Sequence, residues 1–238
     1  MINQLPPAEN RLLASVSLAT CDAETGLVQY LQLDCTVFIG TDGGKRHHNG
    51  SFSWVICSPE REKLVLNAGP VDGWHKCQNS LRSEVAALAS VTLYLDELVE
   101  FYSVDIKCRF LLFVDSTSAI SNVQKLKDLI PKRRFADNAD ILSTLAAAHS
   151  VIDRFTLEHV KSHQDEATKV SKLPFSAQLN VFCDTMATNQ LKRQDTHANE
   201  RTLPNPLPTR HLPVEISFRS QVISSHYVSR LREEIGLD

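Results

Sequence analysis

The run CTVFIGTDGG at residues 35–44 decides the fold. Its first half is β-branched and aromatic over the length of a buried strand, and the Asp-Gly-Gly sequence at 42–44 indicates the end of that strand. Residues 45–50 predict a hairpin loop, because the Asn-Gly pair at 49–50 is a strong turn signal. We therefore expect a buried strand that ends at an aspartate and is followed directly by an antiparallel partner.

The chain downstream alternates between strand and helix signals. Residues 51–58 and 63–68 predict two more strands, so three antiparallel strands come first. A helix is predicted over 81–101 from apolar residues at helical spacing, with Ser80 as its N-cap. We then expect a strand at 110–114, helices at 116–129 and 138–152, a fifth strand at 155–160 and a last helix at 174–191. This order predicts an α/β fold with helices packed on a mixed sheet.

Composition divides the chain into three parts. Residues 1–34 form an apolar N-terminal lead-in, either a short helix and strand packed on the main domain or a remnant of an upstream domain. Residues 35–197 are expected to form the α/β domain. Residues 198–238 form a proline-rich C-terminal extension, in which 216–231 predicts a short strand and helix.

Bulk composition excludes few functions. The chain has 25 Lys and Arg against 28 Asp and Glu, a net charge of −3. This counts mildly against a nucleic-acid binder, although a nuclease combines an acidic metal site with a basic groove. The six cysteines show no zinc-site spacing, and no signal sequence or membrane-length apolar run occurs. We expect an intracellular protein, in the cytoplasm or nucleus, with reduced thiols and no membrane partner.

Four acidic residues and one histidine are the candidates for chemistry. Asp42 and Asp115 each follow a strand, at the sheet edge where open α/β folds bind ligands. Glu84 lies in the first turn of the long helix. Asp184 lies among apolar residues, where a charge is costly unless it is paired or metal-bound. Taken alone, Asp42 and Asp115 are typical of turns, Glu84 of a helix start and His163 of a solvated loop. The order Asp–Glu–Asp–His–Asp favours a functional site.

Short motifs around these residues resemble the type 1 ribonuclease H family over about residues 35–195. The motifs are Thr41-Asp42-Gly43-Gly44, Ser83-Glu84-Val85-Ala86-Ala87, Val114-Asp115-Ser116, Val160-Lys161-Ser162-His163 and Asp184-Thr185-Met186-Ala187. The last motif, together with Ala177-Gln178-Leu179-Asn180, is most similar to ribonuclease H domains of retrotransposon polyproteins. The resemblance implies a ribonuclease H-like fold, with a five-stranded mixed sheet in the order 3-2-1-4-5 flanked by helices.

The same resemblance implies an endonuclease that hydrolyses the RNA strand of RNA–DNA hybrids and leaves 5′-phosphate and 3′-hydroxyl ends. Asp42 would bridge two Mg²⁺ ions, with Asp184 completing one site and Glu84 and Asp115 the other. One ion would activate water and the other would stabilise the leaving 3′ oxygen. His163 would assist proton movement or release of the cut strand. Converging carboxylates need compensating cations, and oxygen ligands favour Mg²⁺, or Mn²⁺ as its substitute, over zinc.

Recognition of RNA requires contacts with 2′-hydroxyl groups in a wide minor groove. By resemblance Asn79, just ahead of the catalytic helix, is the favoured side chain, and its alternative role is that of a loop or capping residue. The backbone amides of Gly43 and Gly44, together with Ser116 and Lys161, complete the expected substrate contacts.

Three segments depart from the family pattern. The turn after the first strand, at 45–48, is more basic than the small-residue turn usual in the family. The stretch 121–140 carries five basic residues: Lys125, Lys127, Lys132, Arg133 and Arg134. Phosphate contacts from these segments would weaken with salt. The loop between His163 and Asp184 is long, which leaves the position of the histidine open.

Several alternatives share the broad fold. A catalytically inactive ribonuclease H-like module, structural or nucleic-acid-binding, would fit a retroelement polyprotein, but retention of all four acids favours an enzyme. A proofreading exonuclease would need Asp-x-Glu on the first strand, and an integrase would have an aspartate second in order. A sugar-kinase-like ATPase would need phosphate loops that the sequence does not show. The implied partners are an RNA–DNA hybrid and a reverse transcriptase domain of the same polyprotein.

Overall fold

The computed structural model describes residues 12–13, 15–72, 78–126 and 138–196, with two short pairs at 217–218 and 221–222. These residues form a six-stranded mixed sheet with helices on both faces. Its strands are β1 (Ser17–Leu18), β2 (Thr36–Arg46), β3 (Asn49–Cys57), β4 (Lys63–Pro70), β5 (Arg109–Val114) and β6 (Phe155–His159). They lie in the order β1-β4-β3-β2-β5-β6. β2, β3 and β4 form an antiparallel meander, and β5 and β6 continue the sheet in parallel with β2.

Six helices of the described residues flank this sheet. They are α1 (Ala23–Leu31), α2 (Ser80–Tyr102), α3 (Thr117–Gln124), α4 (Ala139–Ala147), α5 (His149–Ile152) and α6 (Phe175–Thr196). The central strands are buried on both sides, so alternate residues enter two separate cores. Trp54 and Ile56 of β3 pack in the core that includes α2, whereas Val55 and Cys57 pack in the core that includes α6.

The predicted α/β fold and strand order are confirmed, with one strand more than expected. The five predicted strands lie in the order 3-2-1-4-5, which is β4-β3-β2-β5-β6 here. The additional strand β1 pairs antiparallel with the outer edge of β4, Ser17 opposite Leu66. It comes from the lead-in, whose described part therefore packs on the sheet as a short strand and helix. The division of the chain into domains at 35 and 197 stays a prediction.

The predicted end of the first strand and the predicted turn after it were wrong. β2 continues to Arg46 and pairs with β3 without a break, so Asp42 lies within the strand opposite Ser53. The turn is His47–His48, and Asn49-Gly50 opens β3. Gly50 serves packing, since a Cβ there would lie 2.6 Å from Gln78 Oε1 and 2.9 Å from Ser83 Oγ.

The helix predictions were correct in kind and less so in extent. The N-cap of α2 is Asn79, one residue before the predicted Ser80, because its side chain accepts a hydrogen bond from Arg82 N at 2.7 Å. The predicted helix over 138–152 is divided at Ala148 into α4 and α5. The predicted helix over 116–129 begins as expected, but residues 127–137 lie outside the described part of the chain, as does most of the C-terminal extension. No helix of the described residues is long and apolar enough to cross a membrane.

A buried polar network joins the lead-in to the sheet. Ser90 Oγ, on α2, donates to the backbone oxygen of Leu12 at 2.8 Å and accepts from Trp54 Nε1 at 2.7 Å. Asn67 Nδ2, on β4, donates to the same Leu12 oxygen at 2.7 Å. These residues are almost completely buried. Because a buried polar group without a partner is costly, the network fixes the start of the described chain on the sheet.

Substitution Ser90→Ala should destabilise the protein, because it leaves the indole N–H of Trp54 buried without its acceptor. The expected loss is about 1–3 kcal/mol of unfolding free energy. Urea denaturation would measure it, with Ser118→Ala on the exposed face of α3 as the matched control. Equal midpoints for the two variants would show that the network contributes little.

Candidate active site

Three carboxylates converge at one end of the sheet. Each of Asp42, Glu84 and Asp115 offers an oxygen, and these oxygens lie within 4.8 Å of one another. Asp42 and Glu84 are only 5% and 6% exposed, and Asp115 is half-buried. The parallel pairing of β2 with β5 makes Asp42 and Asp115 neighbours, since Gly40 lies opposite Phe113 two residues earlier on each strand.

Gly43 brings the third carboxylate to the other two. A Cβ at this position would lie 2.3 Å from the backbone nitrogen of Glu84 and 2.4 Å from the carbonyl carbon of Ser83. Only glycine permits this approach of β2 to the first turn of α2. The backbone N–H of Gly43 acts to lower the pKa of both Asp42 and Glu84.

Asp42 and Glu84 hold their protons more tightly than ordinary carboxyl groups do. Burial, followed by the charges of Asp115 and Asp184, raises the pKa of Asp42 to about 8. Burial and the charges of Asp42 and Asp115 raise the pKa of Glu84 well above its usual range. The Gly43 N–H opposes both shifts and does not overcome them. The fold therefore imposes a repulsion that a proton or a cation must relieve.

The donor set fits a divalent cation. All three groups offer hard oxygen ligands, and Glu84 Oε2 is buried with no hydrogen-bond partner. A buried acceptor without a partner costs free energy that a bound ion would recover. Asp42, Glu84 and Asp115 can therefore hold a metal ion together.

Asp184 lies beside this group and is not one of the three acids within 4.8 Å of one another. Its side chain is exposed on α6. Burial of its carboxyl group raises its pKa, the nearby His163 lowers it, and Asp165 and Asp115 raise it further. The structure therefore brings Asp184 next to the cluster, at its solvent side.

Two serines of β3 fix the helix that carries Asp184. Ser53 Oγ donates to the backbone oxygen of Cys183 at 2.7 Å, and Ser51 Oγ donates to that of Ala187 at 2.9 Å. The two carbonyls are one helical turn apart, on either side of Asp184. Sequence reasoning missed these serines, although two polar residues at alternate positions of a buried strand were a usable signal.

His163 lies close to Asp184 in the loop after β6. The residue is exposed, has a left-handed backbone with φ of 54°, and precedes a single 3-10 turn at Gln164–Glu166. His163 lowers the pKa of Asp184, so the histidine lies near this acid although a long loop separates the two residues in sequence. A second histidine was missed: His159 Nε2 lies 3.1 Å from the backbone oxygen of Asp115.

The predicted substrate contacts lie around the acids, and two of them also have structural roles. Asn79 caps α2, and Ser116 Oγ caps α3 by accepting from Ala119 N at 3.2 Å. Lys161 is exposed between β6 and His163. Contact of these residues with a substrate stays a prediction. Of the basic stretch 121–140, Lys125 is exposed at the end of α3, and its other four basic residues lie outside the described chain.

Comparison with known proteins gives structural matches alone. No protein-family model matches the sequence, and no curated protein matches it. Similar solved structures include the protease-reverse transcriptase of prototype foamy virus, at 17% identity and a TM-score of 0.46 over 65% of this chain and 20% of that one. The matched part thus spans a fifth of the foamy virus protein.

Two further similar structures are ribonuclease H proteins. One is the N-terminal ribonuclease H domain of a Mycobacterium tuberculosis protein, at 14% identity and a TM-score of 0.44 over 69% of this chain and 99% of that one. The other, a ribonuclease H1 isolated from compost and solved with an RNA/DNA hybrid, has 15% identity and a TM-score of 0.41 over 66% of this chain and 97% of that one. Identities and TM-scores this low carry no conclusion about function, which has to be inferred from the chemistry of the site.

Substitution Gly43→Ala should separate β2 from the first turn of α2, because the new methyl group has no room. We expect a loss of about 1–3 kcal/mol in unfolding free energy. We also expect that Mg²⁺ no longer raises the melting temperature. The matched control is Gly26→Ala in α1, where a Cβ meets nothing within 4 Å. If Mg²⁺ raised the melting temperature of the Gly43 variant as much as that of the unaltered protein, the role given to this glycine would be wrong.

The pKa of Asp42 predicts how stability depends on pH without divalent ions. Its folded-state pKa, about 8, exceeds the ordinary value of 3.8, so the folded protein binds more protons than the unfolded chain between these values. Stability should therefore fall as pH rises through this window. Added Mg²⁺ should raise the melting temperature more at about pH 8.5 than at about pH 6, because protons compete with the ion. A melting temperature that Mg²⁺ leaves unchanged at both pH values would exclude the metal site.

Proposed function

We propose that the chain is a magnesium-dependent ribonuclease H that hydrolyses the RNA strand of RNA–DNA hybrids. The observation that carries this proposal is the convergence of Asp42, Glu84 and Asp115, with one buried carboxylate oxygen left without a partner. Oxygen-only ligands at this spacing favour Mg²⁺, or Mn²⁺ as a substitute, over zinc. We expect two ions, the second held in part by Asp184.

The proposed reaction is attack of water on a phosphodiester of the RNA strand. The new P–O bond forms as the bond to the 3′ oxygen breaks, which leaves a 5′-phosphate and a 3′-hydroxyl. When bound, the cations supply activation of the attacking water and stabilisation of charge on the leaving oxygen. Asp42 and Glu84 would hold the cations in a buried site, where charges interact more strongly than in water.

His163 has the position of a proton carrier at the edge of this site. It is exposed to solvent and lies near the carboxylate of Asp184. Its imidazole can both donate and accept a proton, so it can give one to the departing 3′ oxygen and recover one from water. The same position suits assistance in release of the cut strand.

The burial of the acids favours an enzyme over an inactive module of the same fold. A purely structural domain gains nothing from two buried carboxyl groups that repel each other, and apolar side chains of similar size would cost it less. We further propose that a reverse transcriptase domain of the same polyprotein is a partner, because the motif at 184–187 resembles that of ribonuclease H domains in retrotransposon polyproteins.

Cleavage of a labelled hybrid in Mg²⁺ tests the proposal, with Asp42→Asn as the key variant. We expect its activity to fall by more than about 100-fold, since changes in outer-shell partners alone cost 10–100-fold. At about pH 8.5, above the folded-state pKa of Asp42, the metal-free variant should melt at a higher temperature than the unaltered protein, because a buried charge is removed. Asp105→Asn, exposed at the opposite end of β5, is the matched control and should retain full activity.

Three results would refute this function. The first is equal cutting of single-stranded RNA and of the RNA in a hybrid. The second is full cleavage in the presence of a chelator. The third is activity that survives Asp42→Asn.

A further inference from the structure

The β2–β3 turn carries an exposed run of four cationic or imidazole side chains close to the acidic cluster. We call this run, Lys45-Arg46-His47-His48, the basic hairpin; all four residues are exposed. It begins three residues beyond Asp42 on the same strand, roughly 10 Å away at about 3.3 Å per residue. The metal cluster attracts cations, so an anionic substrate needs positive charge nearby.

The backbone of the basic hairpin is strained. His47 has φ of 53°, in the left-handed region, within a two-residue turn. Such turns favour Asn-Gly, because glycine and asparagine adopt positive φ at little cost. Here histidines occupy both turn positions. Strained residues of this kind cluster at functional sites, where the surrounding contacts hold them.

The basic hairpin is also held in place. Arg46 forms an ion pair with Asp195 on α6 at 3.2 Å, and Asn49 Nδ2 donates to the same carboxylate at 3.3 Å. Gln194 Nε2 donates to the backbone oxygen of Gly50 at 2.9 Å. These bonds compensate the charge of Arg46 and fix the turn before any ligand binds, so little ordering entropy is lost on binding.

Alternation along β2 gives the direction of Lys45. A Cβ on Gly43 would meet the first turn of α2, and one on Gly44 would meet Ser51 and Leu191 on the α6 side. Lys45 therefore projects on the α2 side of the sheet, beyond Gly43, and Arg46 on the α6 side, in agreement with its ion pair. Lys45 thus extends the edge of the site that begins with the first turn of α2.

We propose that the basic hairpin binds the phosphodiester backbone of the hybrid beside the cleavage position, with Lys45 and His47 as the contacting side chains. The inference rests on the proposed function and adds the surface that holds the substrate. A fixed turn presenting cationic groups near the metal ligands suits phosphates and does not read base sequence. Its contribution is therefore to affinity and to salt dependence.

The inference is tested by measuring the affinity for an RNA–DNA hybrid at salt concentrations of about 50–200 mM. EDTA is present so that no cleavage occurs. Lys45→Gln should weaken binding and lower the slope of log affinity against log salt by about 0.9, the value for one lost phosphate contact. The matched control is Lys107→Gln, exposed at the opposite end of the sheet, which should leave affinity and slope unchanged.

A second variant separates binding from folding. His47→Gly relieves the positive φ, so we expect a melting temperature higher by about 2–4 °C together with weaker hybrid binding. Two results would overturn the inference and leave the proposed function intact. One is equal hybrid affinity of the Lys45 and Lys107 variants, and the other is a stabilised His47→Gly protein with unchanged hybrid affinity. Failure of the unaltered protein to bind any hybrid would overturn both.

Discussion

Mutual repulsion among buried carboxylates is the constraint on which the rest of this structure depends. Asp42 and Glu84 are nearly inaccessible to water, and their oxygens lie within 4.8 Å of each other and of Asp115. Such a group is costly when charged, and it is retained only where something compensates it. A bound divalent cation would supply that compensation, and the relief of this repulsion would add to its binding affinity.

The scaffold is built to hold these acids against their repulsion. β2 pairs with β5 as far as Gly40 and with β3 through Asp42 and beyond, so Asp42 has little freedom to move away. Gly43 admits the first turn of α2 and so sets the position of Glu84. Ser51 and Ser53 bind the backbone of α6 on both sides of Asp184. Each contact joins elements distant in sequence, which makes the site a product of the whole sheet.

Much of the fold could be predicted because it depends on local pattern. Strand runs, helical periodicity and the order of elements predicted a mixed sheet with helices packed on it. The resemblance to the ribonuclease H family implied the strand order, which makes β2, carrying Asp42, and β5, preceding Asp115, neighbours. Long-range packing overrode local signals elsewhere. Asn49-Gly50 has the composition of a turn but lies in β3, because Gly50 contacts Gln78 and Ser83. The edge strand β1 has two residues, too few for any periodicity to show.

The most direct test of the account is the position of bound metal. Crystals soaked in Mn²⁺ and measured at its absorption edge would show each ion by its anomalous scattering. We expect one peak among the carboxylates of Asp42, Glu84 and Asp115, and a second between Asp42 and Asp184. Well-ordered acids without any peak, or manganese bound only elsewhere on the protein, would contradict the claim that this cluster exists to hold cations.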